Sequence, residues 1–280
     1  MKKIFLVFLL SILILSACNL PTGKPAADVD AVATRVAATM AASGLTETEI
    51  QPTNALPTVA LETATLTATA TETVTPTPTT SPEDPRLTLG DSDFWFSAAT
   101  SSDPFGVIKN PYDDDAVTIT NQVGGLNFTS KTLNLGKRWR MTSFSPTNFY
   151  VEGTFKTVTC AGKDNYGLVM RKPAYESNVG YYVGLSCDGS FIVDRLDTYG
   201  NASNLVGWTE DFHIKTGENQ ENRLGVKVIN DSFKIYINGS LVKEFSDNVI
   251  ADKGYIGAYV SAREKANFSV NLQELLVWFQ

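Results

Sequence analysis

The chain has 280 residues, a formal net charge of −7 and a pI near 4.8, with one histidine, His213. A single histidine excludes His-cluster metal sites and fits a Ser-His-Asp mechanism poorly, and the absence of a basic patch argues against nucleic acid or anionic lipid as a charge-driven partner. Composition shifts sharply near Pro85, so the whole length does not belong to one core.

Lys2 and Lys3 precede an apolar run from Ile4 to Leu15. That run is shorter than the roughly 20 residues of a membrane-spanning helix, and it reads as a signal peptide over residues 1–17. Leu15-Ser16-Ala17-Cys18 follows, and it is similar to the lipobox of bacterial lipoproteins. The resemblance implies cleavage before Cys18 and a diacylglyceryl group on its thiol. It implies an extracytoplasmic protein, anchored to the bacterial cell membrane by an N-terminal lipid. Asn19 follows the cysteine, so the aspartate that retains some lipoproteins at the inner membrane of diderm bacteria is missing. The competing reading is an ordinary signal peptide that contains a cysteine.

Residues 18–45 are expected to hold the lipidated N-terminus and a short Ala-rich helix. Val29, Val32, Val36 and Met40 fall on one stripe at helical spacing, and Gly44 offers a C-cap. An isolated helix of this length is marginal in water, so the stripe either self-associates or frays. Residues 46–85 read as a disordered Thr/Pro-rich linker. The run TATLTATATETVTPTPTTSPEDP has no aromatic residue and few large apolar groups with which to offset the entropy of ordering. At about 3 Å per residue in an extended conformation, such a stalk reaches on the order of 120 Å.

Residues 86–280 are long enough for a two-sheet sandwich with a sizeable core. Strands are expected at Phe94-Trp95-Phe96, Ala116 to Thr120, Leu126 to Thr129 and, more weakly, Trp139 to Phe144. Phe149 to Thr159 alternates around Gly153, which suggests a bulge. Tyr166 to Arg171, Tyr181 to Ser186 and Phe191 to Leu196 follow, the last two joined by a turn at Asp188-Gly189. Trp95, Trp139 and Trp278 read as core residues.

The clearest stretch is Asn222 to Tyr259. Leu224, Val226 and Val228 alternate with polar residues, Phe233, Ile235 and Ile237 repeat the pattern, and Asn238-Gly239 supplies a tight type I′ turn before Leu241 to Phe245. Gly254 to Val260 and Val270 to Phe279 complete the set. Together, NRLGVKVI, FKIYINGSLV and GYIGAYV resemble the C-terminal half of concanavalin A-like lectin/glucanase domains, of the laminin-G-like and 3-keto-disaccharide hydrolase-related kind. The resemblance spans residues 149–279 and implies an all-β, two-sheet antiparallel jelly-roll sandwich. It also implies that the terminal strand pairs near the first one, bringing Trp95 and Trp278 together. It carries no catalytic signature.

Cys160 and Cys187 are the two cysteines left to the domain, and outside the cytoplasm such a pair tends to oxidise to a disulfide. The alternative is two separately buried thiols.

Retaining hydrolysis of a glycosidic bond requires two carboxyls about 5 Å apart. No E-x-D-x-x-E spacing is present: Glu152 is alone on its strand, and Asp194 and Asp197 do not alternate onto one face. No catalytic residue is assigned. Asp113-Asp114-Asp115 is a candidate calcium site, although consecutive acids do not all face one ion, and Asp91 with Asp93 is a second, weaker one. Sugar sites pair an aromatic platform with planar polar groups. Tyr175, Tyr199 with Asn201 and Asn204, and Trp208 with Glu210, placed in expected loops, fit that description, and Arg171, at the end of an expected strand, could serve the same groove. The expected function is non-catalytic carbohydrate binding by a membrane-anchored, lectin-like sandwich, with a glycan or glycan-bearing surface as partner. The alternatives are a glycoside-active hydrolase of the 3-keto-disaccharide type, or a structural or adhesion module of the envelope.

Overall fold

The computed structural model describes residues 81–97, 103–107 and 110–280. Cys18 and its lipobox, the Ala-rich segment and the Thr/Pro stretch as far as residue 80 lie outside the described residues. A 3-10 turn at Pro85–Leu87 is followed by β1 (Phe94–Ser97), β2 (Tyr112–Asp113), β3 (Val117–Gln122), β4 (Gly125–Ser130) and β5 (Arg138–Met141). Next come β6 (Phe149–Thr159), β7 (Asn165–Lys172), β8 (Gly180–Ser186), β9 (Ser190–Leu196) and β10 (Ala202–Glu210). The last five are β11 (Glu221–Ile229), β12 (Ser232–Ile237), β13 (Ser240–Ser246), β14 (Tyr255–Ser261) and β15 (Phe268–Phe279).

Two antiparallel sheets form the sandwich. The nine-stranded sheet runs β13-β12-β11-β6-β15-β4-β3-β2, with β1 also paired to β15. The six-stranded sheet runs β10-β9-β8-β7-β14-β5. This is the two-sheet jelly-roll architecture that the resemblance implied. Leu224, Val226 and Val228 of β11 and Phe233, Ile235 and Ile237 of β12 all enter the central core. They meet Tyr181, Val183 and Leu185 of β8 there, because every second side chain of a strand faces the same way. The β12–β13 turn has positive φ at both Asn238 (51°) and Gly239 (88°), which a type I′ turn requires. Cys160, after β6, is disulfide-bonded to Cys187, after β8, with the Cα atoms 5.5 Å apart.

Three expectations need correction. Gly153 marks no bulge: the irregularity is in β15, whose register shifts between Leu272 and Glu274, opposite Phe155 and Thr154. Gly153 instead makes room for a ring, since a Cβ there would lie 2.6 Å from Phe155. Trp95 is not a core residue. The terminal strands do pair, with Trp95 opposite Leu276, but the Trp95 side chain is half exposed. Trp278 is buried against Tyr150 and donates its indole N–H to the Gly90 carbonyl at 3.0 Å. Finally, residues 202–210 form an edge strand rather than a loop.

The outer face of the large sheet carries a charge network. Glu152, almost fully buried, lies 2.6 Å from Arg86 Nη2 and 3.4 Å from Arg223 Nη1, and accepts a 2.7 Å hydrogen bond from the Tyr150 hydroxyl. Arg86 also pairs with Glu274 at 2.7 Å, and Arg223 with the buried Asp84 at 2.5 Å. Asp84 and Pro85 are thus already docked on the sandwich.

Candidate functional site

The outer face of the small sheet collects Met141, Val169, Tyr182, Leu196 and Tyr259, with Trp139 and Tyr255 packed against them. At its edge lies β5, whose short sequence RWRM alternates. Trp139 and Met141 sit opposite Tyr259 and Gly257 of β14 on this outer face. Arg138 and Arg140 therefore project to the other side. There Arg140 donates from Nε to the Phe105 carbonyl at 2.7 Å and from Nη2 to the Gly106 carbonyl at 3.2 Å, tying the 103–107 turn to the strand.

A strap of residues 173–179 crosses the outer face between β7 and β8. The Trp139 indole N–H donates to the Tyr175 carbonyl at 2.8 Å, and the Tyr182 hydroxyl donates to the Asn178 carbonyl at 3.0 Å. Asn178 Nδ2 donates to the Thr198 carbonyl at 3.2 Å, joining the strap to the β9–β10 turn. Beneath it Lys172 is fully buried. Its ammonium donates to the Ser177 carbonyl and to the Tyr182 hydroxyl, and sits 3.4 Å from the centre of the Trp139 ring. No carboxylate pairs with it among the described residues, and burial pulls its pKa from 10.5 down to about 7. On the strap, the Tyr175 ring stacks on Tyr255 with centroids 4.3 Å apart and planes 25° from parallel.

A groove of about 760 Å³ runs along β5 between these parts. Trp139, Tyr175 and Tyr112 supply its aromatic surface, and Asp103, Asp114, Arg138, Arg140, Glu176 and Asn178 its polar surface. Most of those polar groups are already committed. Asp103 accepts from the Val107 N–H at 2.8 Å. Asp114 accepts from the N–H groups of Ala116 and Val117 at 2.8 and 2.7 Å, and from the Tyr112 hydroxyl at 2.9 Å. Partial burial works against the Asp114 charge, but these donors outweigh it and hold the carboxyl below its ordinary pKa. The same hydrogen bond pushes the Tyr112 hydroxyl up. Arg138 differs: its Nε is enclosed without a hydrogen-bond partner.

Of the residues singled out from sequence, only Tyr175 and Asp114 line this groove. Tyr199 is almost fully exposed in the neighbouring turn, where Asn201 is locked by two bonds of 2.9 and 3.0 Å to Asp197. Arg171 is not a groove residue. It is buried, donates to the carbonyls of Ile250, Thr147 and Asn230, and lies over the Phe233 ring, so it pins loops at the end of the sandwich. Trp208 and Glu210 are on β10 and not in a loop, Trp208 within a register irregularity between Val206 and Thr209. The Trp208 ring carries Lys163 Nζ at 5.0 Å and the Arg263 guanidinium at 5.8 Å, and it does not line the groove. Asn204 instead donates to the buried Asp194 at 2.5 Å, which also pairs with Lys137 at 2.6 Å.

The three consecutive acids do not converge. Asp113 pairs with Lys131 at 2.5 Å, Asp114 caps the following turn, and Asp115 gives its carbonyl to Thr132 at 3.0 Å. Asp93, of the second acid pair, accepts from the Phe279 N–H at 2.7 Å. Among the described residues no group of three or more His, Cys, Asp or Glu side chains is placed to hold a metal ion. Glu152 and Asp194 lie on different sheets, each neutralised by cations. From sequence a weak strand is expected at Trp139 to Phe144 with Trp139 in the core; the strand is Arg138–Met141, Trp139 is a partly exposed outer-face residue, and what sequence reading misses is the groove that the turn and strap make along it.

No family model matches the chain, and no curated protein matches it. Similar solved structures do exist. One is a Bacillus subtilis protein of unknown function with a galectin-like fold, at 10% identity and TM-score 0.50, covering 67% of this chain and 96% of that one. A second is carbohydrate-binding module CBM66 from Bacillus subtilis, at 17% identity and TM-score 0.48, covering 65% of this chain and 94% of that one. A third is the GH43 protein BlXynB from Bacillus licheniformis, at 11% identity and TM-score 0.47, covering 60% of this chain and 35% of that one. At such identities the likeness is one of fold: the sandwich is galectin-like.

Proposed function

We propose that this chain is a surface protein that binds a glycan in the β5 groove without cleaving it. The observation that carries the reading is the groove's make-up. Trp139 and the Tyr175–Tyr255 stack offer flat apolar surface on one side of β5, with Glu176 on the same strap as an acceptor and Arg138 lining the groove from the other side of the strand as a donor. Sugar rings have apolar faces and a rim of hydroxyls, so a site for them needs both. The groove's size suits one or two sugar rings. A galectin-like frame is compatible with this reading and says nothing about the ligand.

The rest of the proposal comes from the sequence. Cys18 would carry a lipid, and residues 46–85 would hold the sandwich away from the membrane. Non-cleavage rests on finding no free acid pair among the described groove residues: Asp114 has both oxygens occupied and Asp103 accepts a backbone N–H, which leaves Glu176 alone.

The test is a glycan-array screen of the purified chain, followed by titration of each hit. Tyr175→Ala should weaken binding by about tenfold, in line with roughly 0.5–1.5 kcal/mol for a stacked ring beyond its buried area. Release of reducing sugar from a bound glycan would replace the binding reading with the enzymatic one. Cys18→Ala should release the protein from membranes or leave it unprocessed; a variant that is processed and still pellets with membranes would remove the anchor.

A further inference from the structure

We propose that the glycan taken by the groove is acidic, with a sugar carboxylate received by Arg138. This rests on the groove being a glycan site and deepens that reading. The argument is one of charge accounting. Arg140 is spent on two backbone carbonyls, and Asp114 on two backbone N–H groups and a tyrosine hydroxyl. Arg138 makes neither ion pair nor hydrogen bond with any described residue; its Nε is sealed off, and the Nη end is what remains to meet a ligand. A guanidinium partly withdrawn from water and left unpaired is costly, and a planar two-oxygen anion is the partner that matches its fork.

Asp114 is near enough for Arg138 to help keep it ionised, but Asp114 already has its oxygens occupied, and no carboxylate oxygen of the described residues lies within 4.0 Å of Arg138. Glu176 is the groove's other uncommitted charge, and it is exposed, so solvent screens its repulsion far more than it screens Arg138. A neutral sugar would leave Arg138 without a counter-charge. An oligomer of uronic acids repeats the carboxylate on every ring, so Arg138 can take the anion of one ring while Trp139 or Tyr175, across β5, takes the face of another.

The experiment titrates the full chain with oligomers of galacturonate, mannuronate and glucuronate, each beside its methyl ester and a neutral oligosaccharide of matched length. At least one acid form should bind about tenfold tighter than its own ester. Arg138→Gln should abolish the preference, bringing acid and ester to the same affinity. Arg138→Lys, which keeps the charge and loses the fork, should fall between. Glu176→Gln should raise the acid-over-ester ratio, and it gives an independent readout if Arg138→Gln folds poorly. If acids, esters and neutral sugars bind alike, the groove remains a glycan site and the acidic assignment falls. If a sulfated neutral oligosaccharide outbinds every uronide, the carboxylate assignment falls. If nothing binds in any form, the glycan reading falls, and this inference with it.

Discussion

Lys172 places its ammonium 3.4 Å from the centre of the Trp139 ring, under the strap that forms one wall of the groove. The pairing is a cation–π contact between a buried lysine and a partly buried ring, with no carboxylate among the described residues to share the charge. Burial lowers the lysine pKa to about 7 in the folded chain, against 10.5 when exposed. Between those values the unfolded chain holds the extra proton, so stability should rise with pH from about 7 towards 10, by up to about 1.4 kcal/mol per pH unit. Below about 7 both states are protonated, and the full cost of the buried charge remains. Lys172→Met should flatten the curve. Urea unfolding from pH 6 to 9 measures it, and parallel curves for the two proteins would mean that Lys172 does not titrate in this window.

Arg86 joins the first described segment to the large sheet through Glu152 and Glu274. Removing one partner of a buried pair typically costs about 3–5 kcal/mol. Arg223 and the Tyr150 hydroxyl stay on Glu152, so Arg86→Ala should cost less, about 1–3 kcal/mol. Arg86→Ala combined with Glu152→Gln should cost less than the sum of the two single changes. Additive losses in a double-mutant cycle would show that the contact contributes nothing.

The Cys160–Cys187 bond closes a loop with a sequence separation of 27. Reduction should destabilise the sandwich by about 3 kcal/mol on the chain-entropy argument. Melting with and without reductant measures this, with the Cys160→Ala/Cys187→Ala protein as the control that reductant must leave unchanged. Two thiols that alkylate in the native, unreduced protein would contradict the bond.

Trp208 and Tyr175 should respond in opposite ways. Trp208 is flanked by Lys163 and Arg263 on β10, near the β8–β9 turn, whereas the strap bearing Tyr175 meets β10 at its other end. Trp208→Ala should therefore leave glycan affinity within about twofold while costing roughly 1 kcal/mol of stability or less. A tenfold loss of binding in Trp208→Ala would move the site from β5 to β10.

Much of the sandwich was legible from its alternation. Leu224, Val226 and Val228 could only be one face of a strand, and Asn238-Gly239 could only be a tight turn, because period-two burial and positive φ are local properties. The failures have local causes too. The β10 residues ASNLVGWTE are polar and bulged, so they do not alternate, and edge strands need not. Gly153 looked like a bulge because sequence records a missing side chain and not the Phe155 ring that fills the gap.

The site divides along the same line. Tyr175 was visible as an aromatic in a Pro- and Asn-flanked loop, and the signal for Arg171 was of the same kind. One side chain reached the groove and the other turned into the sandwich, since which carbonyls surround a guanidinium depends on chain segments 24 to 79 residues away. Sequence by itself determined the strand faces, the Asn238-Gly239 hairpin turn and the oxidisable cysteine pair, all of which follow from patterns a few residues long or from composition. Only the tertiary structure decided that Arg138 stands uncommitted while Arg140, two residues on, is spent, because hydrogen-bond partners brought together from distant segments are not written in local spacing.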